Sequence, residues 1–325
     1  MTTTGCGILD AIGTTPLVRL GSFGETHSGD ARARVWGKLE SFNPGGSAKD
    51  RTAHALVRAA EQKGLLKPGT RVVESSSGNL GVALAREAAV GGWEFHCVVD
   101  QRTNASTLAM ITALGGILHP VVEPDPETGD WLVARRKRVA ELKDELGALN
   151  LDQYSNTAAF DAHDGGTMAE IVDKLGRAPD VLVVAVSTTG TIGGCMRHIR
   201  THGYNTSVVA VDAEGSVLFG GERGPRLLPG YGAGVTPDLS RDVHPDRVIR
   251  VRASEAVRAA RKLAGSSGFV PGASGGAVAH AVEELVGEGV SGDVVAIFHD
   301  DGRAYLDTVY NDEWVAENLG SEALQ

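Results

Sequence analysis

The chain has 325 residues, 42% of them hydrophobic and 22% charged, and a formal net charge of −10 at pH 7. This excess of negative charge argues against nucleic acids and acidic membranes as partners, and no apolar run approaches the ~18 residues that span a bilayer. Its three widely separated cysteines, Cys6, Cys97 and Cys195, predict neither a disulfide framework nor a zinc site, and the N-terminus lacks the layout of a signal peptide, so we expect a cytoplasmic protein.

Short β-branched runs alternate with helical patterns along the whole chain. Buried strands are predicted at 71–75, 94–100, 117–122, 181–187, 207–213 and 293–300. Helices are predicted at 49–63, 79–91, 104–114, 131–146, 158–175, 193–202, 254–264 and 276–288. Ser254 is expected to cap the seventh helix and Gly265 to end it. This alternation predicts an α/β fold with open, mostly parallel sheets.

Two stretches interrupt the alternation. The acidic, proline-bearing segment 123–130 is predicted to be a surface loop. The glycine- and proline-rich segment 219–237 is too long for a simple connection, so we expect a functional lid or a binding loop there.

Four junctions rich in glycine or hydroxyl side chains open helices. In the first, the turn 43–47 places Lys49 in the first turn of a helix, where a cation is mildly disfavoured by the helix dipole. The others are "ESSSGNLGVALA" (74–85), "VSTTGTIGG" (186–194) and "GASGGAVAHAV" (272–282). Backbone amides, hydroxyls and a helix N-terminus together suit a carboxylate or a phosphate.

Each junction alone is more simply explained as an ordinary helix cap, and Lys49 alone as a solvated surface lysine. The chain has no P-loop, and "GTIGG" is not G-x-G-x-x-G, which leaves dinucleotide binding with little support. His163-Asp164 and the run 299–301 have no further ligands at metal-binding spacing, so surface or capping roles are expected and no metal.

Taken in order, the motifs resemble the fold type II pyridoxal-phosphate (PLP)-dependent enzymes of the cysteine synthase and cystathionine β-synthase family. The resemblance covers essentially the whole chain, through "ILDAIGTTPLVRL", "LESFNPGGSAKDR", "SSSGNLG", "LDQYSNTAAF", "VSTTGTIGG", "PGYGAG", "PGASGGAV" and "DDGRAYLDT". It implies two three-layer α/β/α domains with the active site in the cleft between them. The larger, PLP-binding domain would comprise 1–42 and 151–325, and a smaller mobile domain, 43–150, would carry Lys49.

The resemblance also implies which residues hold the cofactor. Lys49 would form the Schiff-base linkage and later transfer a proton, helped by desolvation of its ammonium. Asn79 would hydrogen-bond the 3′-hydroxyl of the ring, and Ser274 would meet the pyridine nitrogen. The phosphate cup would be formed by Ser187, Thr188, Thr189, Gly190 and Thr191. The family more often has glycine at the first and third of these cup positions.

A second set matches substrate positions of the family. The substrate carboxylate would be bound by Ser76, Ser77, Asn79 and Gln153. Further polar substrate-side positions are matched by Arg135, Tyr154 and Ser187. Arg223 and Arg226 in the long loop are additional phosphate candidates, although each of these arginines is equally compatible with a solvated surface cation. Leu80 stands where sulfhydrylases usually carry threonine, which removes a donor.

The implied reaction is a two-stage β-replacement, and several motifs are most similar to the branch of N-(2-amino-2-carboxyethyl)-L-glutamate synthases. That branch joins O-phospho-L-serine to L-glutamate on the way to 2,3-diaminopropionate, a precursor of siderophores and some antibiotics. Two alternatives stay open: a sulfhydrylase, or a sulfite-using relative, acting on phosphoserine or acetylserine; and a PLP-binding regulatory or scaffold partner. The family is usually homodimeric, so we expect a homodimer.

Overall fold

The computed structural model describes residues 7–23 and 33–324 and contains two sheets. The strands of the larger sheet are β1 Leu17–Arg19, β2 Ala33–Leu39, β6 Val181–Ala185, β7 Ser207–Ala213, β8 Arg247–Val251 and β9 Gly292–Phe298. The strands of the smaller sheet are β3 Arg71–Ser75, β4 Glu94–Asp100 and β5 Ile117–Val121. The larger sheet has the order β1-β2-β9-β6-β7-β8, and the smaller one β3-β4-β5.

The strand pairs are parallel except for β1 with β2. In β6 every residue is buried, as expected for a parallel strand that is covered on both faces. All six predicted strands are present, with ends shifted by up to two residues. The sequence did not predict β1, β2 and β8, because β1 has three residues and the other two carry charged side chains that break the apolar pattern.

Ten α-helices connect the described strands. They are α1 Lys49–Gln62, α2 Asn79–Gly91, α3 Ala105–Ala113, α4 Trp131–Leu146, α5 Ala158–Ala162, α6 Ala169–Leu175, α7 Gly190–His202, α8 Ala253–Ser267, α9 Ala273–Gly287 and α10 Asp312–Leu319. The helix predicted at 158–175 is split into α5 and α6 by a π-helical turn, His163–Met168. Helix α10 was not predicted. Among the described helices none is both long and apolar enough to cross a membrane.

The predicted cap and stop of α8 are wrong. Arg252 is the N-cap residue, and its backbone N–H donates to Glu255 Oε2 at 2.9 Å. Gly265 lies inside the helix, which ends at Gly268 in the left-handed conformation (φ 71°). Ser254 is therefore already helical, because the Arg252–Glu255 pair satisfies the helix start two residues earlier.

Helices cover both faces of both sheets, which gives each sheet a three-layer arrangement. On the larger sheet, α8 and α9 pack on one face, through Leu263 and Val282, and α7 packs on the other, through Ile192. On the smaller sheet, α1 and α2 share one core and α4 the other. The predicted α/β class is thus confirmed, while the domain boundaries at 42/43 and 150/151 and the mobility of the smaller domain stay predictions.

The two irregular segments lie at the surface for most of their length. In 123–130 only Asp125 is buried, and its carboxylate accepts hydrogen bonds from Thr128 and Lys137. The long segment begins with a 3-10 turn, Leu218–Gly220, and runs without regular structure to Pro237. Its role as a lid or binding loop stays a prediction. Cys97 and Cys195 are buried free thiols, and Cys6 lies outside the described residues.

Candidate active site

Lys49 is the first residue of α1, and its side chain reaches toward the third glycine-rich junction. Lys49 Nζ lies 3.5 Å from Thr188 Oγ1, its sole hydrogen-bond partner among the described residues. Burial lowers the pKa of Lys49 to about 8. A substantial fraction of the amine is therefore neutral near physiological pH, as a nucleophile or a proton acceptor requires.

The turn before Lys49 is fixed by a buried carboxylate. Asp50 folds back so that its Oδ2 accepts a hydrogen bond from the backbone of Gly45 at 3.0 Å, and its Oδ1 lies 3.1 Å from Arg86 Nη1. A Cβ atom on Gly45 would stand 2.2 Å from Asp50 Oδ1, so only glycine fits here. Ala48 N also donates to His299 O at 2.8 Å, which attaches the turn to the end of β9.

The third junction presents an uncapped helix N-terminus. Thr189 precedes α7 in the left-handed conformation (φ 66°), and no side chain within the described residues caps the helix. The Thr189 hydroxyl donates to Thr188 O at 2.7 Å. The backbone amide of Thr189 is therefore the donor that this residue can still offer to a ligand. Thr188 is buried and Thr191 half-buried, while a Cβ on Gly190 would lie 3.2 Å from Ala159 Cβ.

These features suit a phosphorylated aldehyde. Uncapped amides at the start of a thirteen-residue helix bind a phosphate through oriented N–H groups and the helix dipole. The hydroxyls of Thr188 and Thr191 add neutral donors, and Ser187 is half-buried beside them in the chain. The Lys49 amine, close to Thr188, lies within reach of the same loop.

At the second junction, most side-chain donors are already engaged. Ser76 Oγ accepts from Gly81 N at 2.8 Å and so caps the start of α2. Gln153 is buried, and its Nε2 donates to Ser75 O at 3.3 Å. Ser77 is half-buried and makes no hydrogen bond to any residue that the structure describes, which leaves its hydroxyl available to a ligand.

Asn79, the first residue of α2, donates from Nδ2 to Asp300 Oδ2 at 2.8 Å. This bond joins the second junction to the end of β9. The next residue, Leu80, is 2% exposed and packs in the core that α1 and α2 share. Its side chain therefore offers no donor to a substrate.

The fourth junction meets the long irregular segment. Ser274 is the second residue of α9 and is buried. A Cβ on Gly230 would lie 3.9 Å from Ser274 Oγ and 3.3 Å from Tyr305 Oη. The motif "PGYGAG" therefore passes beside the start of α9, as expected if both contribute to one site.

Arg135 and Tyr154, predicted at substrate positions, lie near the smaller sheet. Arg135 is buried, and its Nε is 3.3 Å from Asp100 Oδ2 without the alignment of a hydrogen bond. Tyr154 is half-buried under the guanidinium of Arg136, 5.7 Å from the ring centre, and burial raises its pKa to about 12. Within the described residues no hydrogen bond or ion pair joins them to Lys49, so their substrate roles stay predictions.

Arg223 and Arg226 are exposed, and both lie close to Gly234. Arg223 Nη2 donates to Gly234 O, and its Nη1 lies 3.6 Å from Asp130 Oδ2. A Cβ on Gly234 would stand 2.6 Å from Arg226 Nη2. Both guanidinium groups thus border the "PGYGAG" motif, and their part in binding a phosphate stays a prediction.

Two histidine–aspartate motifs contain site residues that the sequence did not predict. Asp300 is buried rather than at the surface, and its Oδ2 also accepts from Tyr305 Oη at 3.0 Å. Asp301 does cap, since its carboxylate accepts from Arg303 N at 3.1 Å. A signal was available, because ligands of open α/β sheets bind at the carboxyl ends of strands, where Asp300 follows β9.

The surface role expected for His163 is also wrong. The ring is fully buried, with Nδ1 2.9 Å from Thr167 Oγ1 and Nε2 3.3 Å from Thr191 Oγ1 and 3.2 Å from Thr52 Oγ1. Burial keeps the pKa of His163 well below its usual value, so the ring is neutral. Through its contact with Thr191, the buried His163 ring supports the third junction from the protein interior.

Comparison with known proteins gives consistent matches. The profile of the family described as "Pyridoxal-phosphate dependent enzyme" matches residues 8–300. A protein of Ralstonia nicotianae named N-(2-amino-2-carboxyethyl)-L-glutamate synthase is 39% identical over 97% of this chain and 93% of its own. A protein of Cupriavidus metallidurans with the same name is 39% identical over 98% of this chain and 93% of its own.

Solved structures agree with these matches. The crystal structure of O-ureido-L-serine synthase has a TM-score of 0.86 and 32% identity, covering 97% of this chain and 96% of that one. The O-acetylserine dependent cystathionine beta-synthase from Helicobacter pylori has a TM-score of 0.86 and 26% identity, covering 95% of this chain and all of that one.

Proposed function

Because this chain belongs to the pyridoxal-phosphate-dependent enzyme family, we propose that it joins O-phospho-L-serine to L-glutamate by β-replacement. The products would be N-(2-amino-2-carboxyethyl)-L-glutamate and phosphate. The observation that carries the proposal is the 39% identity, over nearly the full length, to two proteins named for this synthesis. The product would supply 2,3-diaminopropionate for a siderophore or an antibiotic.

The residues present fit pyridoxal phosphate. Its phosphate would be held by neutral donors of the third junction: the amides at the start of α7 and the hydroxyls of Thr188 and Thr191. Asn79 would hydrogen-bond the ring hydroxyl, and Ser274 would face the ring nitrogen. When bound, the cofactor supplies an aldehyde for amines and an electron-accepting ring that eases loss of the Cα proton and of the β-substituent.

Lys49 is the proposed catalytic residue. Its Nζ would bind the cofactor, and once displaced by the substrate amine it would take the Cα proton and later return it. Its lowered pKa of about 8 suits both tasks, because a neutral amine is needed to accept the proton and an ammonium to return it. No second titratable side chain within hydrogen-bond distance of Nζ competes for this task in the described part of the chain.

Ser274 sets the electronic character of the site. A serine hydroxyl is neutral at every physiological pH and cannot hold a proton on the ring nitrogen as a carboxylate would. The ring is then a weaker electron sink, which favours prompt loss of the β-substituent over transamination. The buried position of Ser274 at the start of α9 supports this assignment.

Both substrates are anionic, and donors for them are proposed at two places. Ser77 and the first amides of α2 would bind the carboxylate of phosphoserine, while the hydroxyl of Ser76 mainly holds the loop in shape. Arg135, Tyr154 and Ser187 would face the remaining polar groups. In the reaction the Cβ–O bond to phosphate breaks, a bond forms between Cβ and the glutamate nitrogen, and that nitrogen releases a proton to solvent.

The second candidate function is a sulfhydrylase or a sulfite-using relative. It is favoured by the likeness to a solved O-acetylserine dependent cystathionine beta-synthase. Against it stands Leu80, whose buried side chain gives no donor where sulfhydrylases usually have threonine. A third possibility, a regulatory partner without activity, is disfavoured by the uncapped α7 and the intact Lys49.

Mass spectrometry of the products decides between these functions. Purified enzyme is incubated with O-phosphoserine and one nucleophile at a time: glutamate, sulfide, sulfite or another amine. We expect the glutamate adduct as the main product and phosphate release in equal amount. Cysteine as the dominant product would contradict the proposal. Gel filtration under the same conditions tests the proposed homodimer, and fractionation of cells tests the proposed cytoplasmic location.

A further inference from the structure

Asp300 connects three of the four junctions. Its backbone forms an antiparallel bridge with Ser47, in the turn that precedes Lys49. Its carbonyl oxygen accepts from Gly272 N, at the start of α9, at 3.3 Å. Its carboxylate accepts from Asn79, at the start of α2, at 2.8 Å. A residue with these contacts can fix the relative positions of side chains that come from separate elements.

The Asp300 carboxylate has little freedom to rotate. The residue is 5% exposed, and Tyr305 Oη donates at 3.0 Å to the same oxygen that Asn79 uses. The second oxygen, Oδ1, is buried without a hydrogen-bond partner in the described part of the chain. Oδ1 would lie 2.0 Å from a Cβ atom on Gly272, so the carboxylate occupies space that only glycine at 272 leaves open.

An ionised carboxylate selects one orientation of a carboxamide. The two ends of the Asn79 side chain have nearly the same shape, and a rotation of 180° exchanges a donor for an acceptor. Asp300 can only accept while ionised, so it pairs with Nδ2 and excludes the rotated form. One N–H of Nδ2 is then used, and the second makes no hydrogen bond to the described residues, so it remains available to a ligand.

We propose that Asp300 is a positioning residue, which fixes the Asn79 carboxamide so that its remaining N–H is presented to the cofactor. The proposal rests on the assignment of Asn79 to the cofactor under the proposed function. The role of Asp300 does not depend on which nucleophile the enzyme uses. Product analysis therefore tests the proposed reaction, and cofactor binding tests the role of Asp300 independently.

The charged and titratable groups around Asp300 predict a pH dependence. Tyr305 and Tyr310 face it from the C-terminal segment, and His299 and Asp301 flank it in the chain. Burial raises the pKa of Asp300 to about 6, although the hydrogen bonds from Asn79 and Tyr305 oppose this. Burial and nearby Lys49 lower the pKa of His299 to about 3, so His299 is neutral in this range.

Below about pH 6 a protonated Asp300 can also donate a hydrogen bond, and the carboxamide is no longer held in one orientation. Cofactor affinity should therefore fall as the pH decreases through about 6. The absorbance of the bound cofactor should change over the same range.

A double-mutant cycle tests the coupling directly. The dissociation constant of pyridoxal phosphate is measured at pH 8 for Asn79→Ala, Asp300→Ala and the double variant. We expect each single variant to bind roughly 10-fold more weakly and the double variant to be hardly weaker than either. Independent effects that multiply to roughly 100-fold would overturn the proposal. An unchanged affinity in Asn79→Ala would overturn it together with the assignment of Asn79.

Asp300→Asn keeps the proposal testable if the alanine variant does not fold. An asparagine in the same place can donate as well as accept, as protonated Asp300 can, but it does not titrate. We expect this variant to bind the cofactor roughly 10-fold more weakly than the wild type at pH 8, and to lack the further change in affinity and absorbance that the wild type shows near pH 6. Persistence of that change would overturn the proposal. Asp301→Asn, at a neighbouring carboxylate that caps a turn, is the matched control and should retain it.

Discussion

Arg51, two residues after Lys49, donates hydrogen bonds to Glu170 through both of its terminal nitrogens, each at 2.7 Å. The same guanidinium donates from Nε to Glu40 at 2.6 Å, and Lys38 Nζ donates to Glu170 at 2.5 Å. Arg51, Lys38 and Glu40 are buried, which makes the network expensive to break. It attaches the helix that carries Lys49 to strand β2 and helix α6.

Glu170→Gln should destabilise the protein, because it leaves the buried cations Lys38 and Arg51 with a single carboxylate, that of Glu40. We expect a loss of about 3 kcal/mol in the free energy of unfolding, measured by denaturant titration at pH 7. An unchanged midpoint would show that the network contributes no net stability.

The acid stability of the wild type should depend on the same carboxylate. Burial raises the pKa of Glu170, but Arg51 and Lys38 outweigh it and lower the pKa to about 2, from an ordinary 4.5. A depressed pKa gives stability that is complete above about 4.5 and is lost as the pH falls toward 2. Glu170→Gln should weaken this dependence, whereas Glu141→Gln, at an exposed carboxylate on α4, should retain it.

Cofactor association should report the pKa of Lys49. Because only the neutral amine attacks an aldehyde, the rate at which the cofactor-free protein binds pyridoxal phosphate should rise with pH and level off above about 8. Stopped-flow absorbance between pH 6 and 10 measures it. Lys49→Ala should lose activity by about 10²–10⁴-fold or more, and borohydride reduction should attach no cofactor to the variant; a cofactor fixed covalently to the same peptide in that variant would contradict the assignment.

Thr191→Val should weaken cofactor binding. The substitution conserves volume but removes a hydroxyl that stands at the start of α7, 3.3 Å from His163 Nε2. We expect roughly 10-fold weaker affinity for pyridoxal phosphate, measured by absorbance titration. Thr201→Val, near the opposite end of the same helix and exposed, is the matched control and should bind normally.

Gly272→Ala should destabilise the protein, because the added Cβ would lie 2.0 Å from Asp300 Oδ1. We expect a loss of about 1–3 kcal/mol in the free energy of unfolding. Gly265→Ala, inside α8 with no atom within 4 Å of the added Cβ, should instead stabilise by about 0.5–1 kcal/mol. Equal effects of the two variants would show that Asp300 moves without cost.

Five of the six strands that the sequence predicted are buried over nearly their whole length, since continuous apolar runs are visible locally; β5, which has no buried residue, is the exception. Strand β2 escaped prediction because it contains Lys38, whose ammonium is buried against Glu170, 132 residues further along the chain. No local pattern reveals such a distant partner. The start of α8 was misplaced for a local reason instead: Arg252 pairs with Glu255, three residues further on, and this pairing moves the helix start away from Ser254.

The candidate site was predicted through motifs rather than through side-chain environment. The order of the motifs singled out Lys49, Asn79 and the start of α7, whose roles stay predictions, whereas spacing alone gave His163 and Asp300 surface or capping roles. Both are buried only because elements from distant parts of the chain close over them. Burial of a polar residue is a tertiary property, so the supporting groups of a site are the last to be found from sequence.

The larger sheet has a consequence for biosynthesis. Strand β2 pairs with β9 across 259 residues, from Ala33 with Gly292 to Leu39 with Phe298, and among the described strands β1 pairs only with β2. During translation, β2 therefore cannot pair with β9, nor can β1 join the larger sheet through β2, until nearly the entire polypeptide has emerged from the ribosome. The compact three-stranded unit between Arg71 and Val121 has no such requirement, and we expect it to form first on the nascent chain.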